Sequence, residues 1–118
     1  SRSEAKKTLP FLQEHFRDDE RMIPVYAALL GYALDEKDSM SIEVYANAII
    51  TLQKRHKSDE FSPYAEFALA NVLRESKRYE QAIALLKPLE SSKITQEERA
   101  QLYYTIAGLS PLGILRSA

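Results

Sequence analysis

The side chains able to do chemistry are few in this sequence, and their spacing keeps them apart. The two histidines, His15 and His56, have no partner at metal-ligand spacing. His15 follows Glu14, and His56 sits in the basic run Lys54, Arg55, His56, Lys57, so both read as solvated residues near helix ends. The absence of cysteine removes thiolate nucleophiles and disulfides. The glycines at 31, 108 and 113 make no phosphate-binding loop, and no G-x-S-x-G elbow is present. The carboxylates fall at helix starts and on polar faces, where the helix dipole and solubility account for them. The expectation is a protein that is not an enzyme and holds neither metal nor cofactor.

The same inventory bears on partners. The run from Lys54 to Lys57 lacks interleaved aromatics and closes a helix, where cations offset the dipole, so no nucleic-acid partner is expected. The 16 basic and 17 acidic residues leave a net charge of −1, too little to draw in a polyanion. Apolar runs extend only a few residues, so no membrane span is expected. A cysteine-free chain suits the cytoplasm or an oxidising compartment such as the bacterial periplasm, which leaves the location open.

Helices must do whatever positioning is needed. The composition is 45% hydrophobic and 28% charged, with 3 Gly and 5 Pro, and it favours helix throughout. At 118 residues the chain is expected to form a single domain. The i, i+3, i+4 recurrence of apolar residues predicts six helices. The first spans Glu4 to Phe16 with the face Ala5, Leu9, Leu12 and Phe16, and is kinked at or started by Pro10. The second spans Asp19 to Asp35 with Pro24 in its first turn, and the third Ser41 to His56. Ser62 and Pro63 are expected to cap and open the fourth. The fifth starts near Tyr79 and bends or ends at Pro88. Thr95 and Glu98 form a capping-box pattern that opens the sixth, which reaches about Gly108. No stretch alternates long enough for a strand, so the class is all-α.

The helices repeat in pairs. Leu30, Gly31 and Leu34 recur as Leu69, Ala70 and Leu73, a lag of 39 residues from 30 to 69. Tyr45, Ala48, Ile49 and Leu52 recur as Ala82, Leu85, Leu86 and Leu89, a lag of 37 from 45 to 82. Residues 62–90 resemble a tetratricopeptide repeat, a family with units of about 34 residues. Leu69 and Ala70 stand for its Leu–Gly pair, and Leu73 for its usual Tyr. Tyr79 matches the aromatic that opens the second helix, Ala82 the small crossing residue, and Leu86 the later aromatic position. Residues 23–53 form a degenerate copy, with partial units at 4–16 and 95–108. The resemblance implies one domain over residues 1–109, built as a right-handed superhelix of stacked antiparallel pairs.

In such arrays the first helix of each pair lines a concave groove. The resemblance therefore implies a protein- or peptide-binding face of Tyr64, Phe67, Asn71 and Arg74, with Val25, Ala28, Tyr32 and Asp35 at the equivalent places in the earlier unit. Helix six adds Ala100 and Tyr104. Family members that grip a terminal carboxylate carry Asn at the place of Asn71 and Lys at the place of Phe67. The tail, residues 110–118, carries apolar Leu112, Ile114 and Leu115 past the last helix. It is expected to fold back, to continue into a further helix, or to dock on another molecule. The chain reads as an interaction module or adaptor within a larger protein or assembly. The alternative is an oligomerisation segment of a helical-repeat scaffold with no groove ligand, associating with itself through terminal helices or tail.

Overall fold

The computed structural model describes residues 2–109. Among these residues all regular structure is helical: α1 (Arg2–Phe16), α2 (Met22–Glu36), α3 (Ser39–His56), α4 (Tyr64–Glu75), α5 (Tyr79–Leu86) and α6 (Gln96–Leu109), with a 3₁₀ turn at Lys87–Ser91. The all-α expectation holds. Two compact units divide between Ala65 and Glu66, inside the first turn of α4.

In the first unit, α2 is the central element. It buries Met22, Ile23, Tyr26, Leu29, Leu30 and Ala33. From α3 come Ile42, Ala46, Ile49, Ile50, Leu52 and Gln53. These stripes recur at helical spacing, and their burial drives the pairing of the two helices. On α3 the Tyr45 ring lies 6.2 Å from that of Tyr26, while the neighbouring Val44 is exposed.

Helix α1 buries no residue completely. It runs unbroken through Pro10, so the expected start at that position gives way to one continuous helix. Polar contacts tie down the helix and the connection that follows it. Arg2 pairs with Glu36 at 3.1 Å, Gln13 Nε2 donates to the Tyr26 hydroxyl at 3.0 Å, and Arg55 pairs with Asp18 at 2.8 Å.

Helix ends in this chain follow a shared scheme. Lys37, Lys57 and Lys77 each adopt positive φ, at 55°, 52° and 62°. At each, the next residue's N–H reaches back to the helix: Asp38 to Ala33, Ser58 to Gln53 and Arg78 to Leu73, at 3.0, 2.9 and 2.8 Å. These 6→1 bonds satisfy carbonyls that the helix end would otherwise leave open.

Several helix starts differ from expectation: α1 begins at Arg2 and not Glu4, and α2 at Met22 and not Asp19. Helix α3 begins at Ser39 because Asp38 caps it, accepting from the Ser41 N–H at 3.2 Å and the Ser41 hydroxyl at 2.6 Å. Asp38 is accordingly held below the usual carboxylate range, first by the Ser41 hydroxyl. Helix α4 begins at Tyr64, so Pro63 precedes its first residue, across a cis Ser62–Pro63 bond. Its approach is fixed through Phe61, whose N–H donates to buried Gln53 Oε1 at 2.8 Å and whose carbonyl accepts from Ala65 at 3.0 Å.

In the second unit, Leu69, Ala70, Val72 and Leu73 of α4 are buried, as are Ala82 and Leu86 of α5 and Leu102 and Leu109 of α6. Helix α5 gives way to the 3₁₀ turn at Lys87, next to Pro88, as expected. The capping box forms: Thr95 N–H donates to Glu98 Oε1 at 2.8 Å and Glu98 N–H to Thr95 Oγ1 at 3.0 Å.

Candidate functional site

Four residues expected to share a face, Ala28, Tyr32, Asp35 and Tyr64, meet in the first unit around one open recess of about 380 Å³. The stripe that builds it is local to α2. Ala27, Gly31 and Asp35 lie four residues apart, and Ala28 and Tyr32 repeat that interval one position on, so they share a side of the helix. Small residues at 27, 28 and 31 keep the floor low. Tyr32 and Tyr64 stand as aromatic walls, and Leu34 completes the lining. Val25, expected on the same face, does not line the recess and is half-buried.

The repeat pattern aligns Gly31 with Ala70, a small residue at the position of close helix approach. Apart from its chain neighbours and the backbone of its own helix turn, a Cβ at Gly31 would meet nothing within 4 Å. No tight crossing demands glycine there; the missing side chain serves only to leave the recess open. Ala70 is 1% exposed and Ala82 is fully buried, in keeping with small residues placed at crowded positions.

The electrostatics of the recess centre on Asp35. Its carboxylate is exposed and takes part in none of the ion pairs among the described residues. Partial burial pushes the pKa of the Tyr64 phenol above its usual value, and the Asp35 charge pushes it further in the same direction. Both effects favour the neutral phenol. The neighbouring acid, Glu36, is by contrast taken up by Arg2, whose guanidinium also lies 5.2 Å from the centre of the Tyr32 ring.

The other expected face residues belong to the second unit. Asn71 and Arg74 are exposed one turn apart on α4. Arg74 Nη2 donates to Asn71 Oδ1 at 2.5 Å, and Asn71 Nδ2 donates to Glu75 Oε1 at 3.2 Å. Phe67, one turn before Asn71, is half-buried. Tyr104 of α6 is 82% exposed, and Ala100 is exposed one turn earlier. Leu112, Ile114 and Leu115 lie outside the described residues.

The two histidines occupy separate roles. His56 Nε2–H donates to the Asp18 carbonyl at 2.7 Å, and His15 packs its ring 4.4 Å from Phe11. The basic run at the end of α3 is thereby engaged at two of its residues, Arg55 and His56, by the connection that follows α1. In that connection Asp19 chelates Arg21, whose guanidinium holds the Asp19 carboxyl down at about 2. Among the described residues no group of three or more His, Cys, Asp or Glu could hold a metal ion. No helix among them is long and apolar enough to cross a membrane.

Asp35 and Gly31 are the site residues that motif reasoning underplayed. The signal is in the sequence: a glycine inside a helix, with two alanines one turn before it and an acid one turn after it. Comparison of the chain with protein-family models, with curated proteins and with solved structures finds no match.

Proposed function

We propose that this chain is a non-catalytic protein-interaction module of tetratricopeptide-like type. Its helix pairs stack as a right-handed superhelix, and it takes a peptide or helix of a partner protein on the face carrying Tyr32, Tyr64, Phe67, Asn71, Arg74 and Tyr104. The observation that carries this reading is the convergence of Tyr32 and Tyr64 over a floor of Ala27, Ala28 and Gly31. Rigid aromatic walls beside a vacant small-residue floor are what an anchoring side chain needs. Asn71 and Arg74 supply exposed polar groups that can exchange their contact with each other for contacts to a peptide backbone.

The test is capture of partners by the intact chain, with bound proteins identified by crosslinking and mass spectrometry. Tyr32→Ala with Tyr64→Ala, and separately Asn71→Ala with Arg74→Ala, should remove the same partners while the melting temperature stays within a few degrees of the parent. Undiminished capture by both pairs sinks the reading.

A second reading, as an oligomerisation segment without a groove ligand, is favoured by α1. That helix buries nothing completely and leaves Phe11 59% and Phe16 37% exposed. In this reading, Phe11→Ser or removal of residues 112–118 lowers the mass measured by light scattering, and the groove substitutions leave it unchanged.

A further inference from the structure

We propose that the recess on α2 is a binding site for a basic side chain, an arginine guanidinium or lysine ammonium of the partner, held by the Asp35 carboxylate between the Tyr32 and Tyr64 rings. The inference rests on the interaction reading and names the chemistry of its ligand. Three features of the recess converge on a cation. Asp35 is an exposed acid on the lining with no ion pair among the described residues. It lies close enough to Tyr64 to hold that phenol in its neutral form, and both line the same recess. Two tyrosines line the recess, and guanidinium and ammonium groups are drawn to such rings by the ring quadrupole, as Arg2 already is to Tyr32.

The protein's own Arg2 supplies an internal precedent. Its guanidinium lies 5.2 Å from the Tyr32 ring centre while pairing with Glu36 at 3.1 Å. An incoming cation repeats this arrangement one residue earlier on the helix, with Asp35 in place of Glu36. The floor explains how the aliphatic stem is received. Where Gly31 has no side chain, nothing lies within 4 Å of the vacant position, which leaves room for methylene groups that carry the charged head toward the rim. An acidic ligand meets the opposite outcome, because Asp35 repels it and Arg2, the cation beside Tyr32, is already paired with Glu36.

The probes are three blocked tripeptides, acetyl-Gly-Arg-Gly-amide and its citrulline and glutamate counterparts, titrated into the labelled full chain and followed by amide NMR shifts. The arginine peptide is expected to move Ala28, Gly31, Tyr32, Asp35 and Tyr64, and the other two to leave them in place. Asp35→Asn should weaken the arginine probe roughly two- to fivefold, the scale of one exposed charge pair. Gly31→Leu should block it by filling the floor, with the unchanged remainder of the spectrum reporting that the fold is intact. Equal shifts from all three peptides overturn the cation site and leave the interaction reading standing. No recess shift from any peptide also overturns it, and partner capture by the tyrosine variants then decides the broader reading separately. An arginine response that survives Asp35→Asn undiminished removes the carboxylate from the proposal and overturns it as stated.

Discussion

At the scale of single residues, much of this fold's definition lies at helix ends. Lys37, Lys57 and Lys77 hold a left-handed conformation in which a Cβ crowds the following carbonyl, a position where glycine is the usual occupant. Replacing Lys77 with Gly should therefore stabilise the protein by about 1 kcal/mol, read as a higher urea midpoint at unchanged slope. The same change at Lys37 and Lys57 should add to it, since the three caps share no partner. Gln53 acts in the opposite sense. Its side chain accepts from the Phe61 N–H, and its carbonyl accepts from Lys57 and Ser58 at the end of α3. Gln53→Ala leaves the Phe61 donor unpaired and opens space in a buried position, so it should cost about 1–3 kcal/mol in chemical denaturation. A loss below a few tenths would mean that water replaces the amide without penalty.

At the scale of elements, the helices are legible because apolar residues return every three or four positions, and local stop and start signals such as Pro88 and the Thr95–Glu98 box act within a few residues. What escapes that logic depends on which side chain a backbone donor at a helix start finds. The entry to α4 is governed by Gln53, eight residues before Phe61, and Asp38 starts α3 earlier than Ser41 suggested because its side chain reaches forward to Ser41. The recess was half legible: a shared face for Ala28, Tyr32 and Asp35 follows from spacing, but the vacancy at Gly31 is an absence of neighbours that no local pattern encodes. Glycine inside α2 costs about 1 kcal/mol relative to alanine. Gly31→Ala should recover about that much in thermal melts, because its methyl meets nothing within 4 Å. No gain would indicate that the backbone of α2 is held at this point by something other than its own helix propensity.

At the scale of the whole molecule, near-neutral charge and exposed aromatics act together. The net charge is −1, the isoelectric point is near 6.1, and Phe11, Tyr103 and Tyr104 are at least half exposed. Repulsion between copies is weakest near that pH, so self-association measured by dynamic light scattering should peak around pH 6 and recede toward pH 8. Scattering that is flat across this range would argue that the aromatic surfaces do not meet in solution. The bond between Gln13 and Tyr26 has a separate consequence, an optical one. The chain has 7 tyrosines and no tryptophan, so tyrosine dominates its near-ultraviolet absorption. Tyr26 is 6% exposed, hydrogen-bonded to α1 and close to the Tyr45 ring. When α1 lifts away, this chromophore loses its amide partner and meets water, and its band moves to shorter wavelength while the backbone signal of α2 and α3 persists. The seam that holds the first helix thus carries its own colour gauge, readable without any added label.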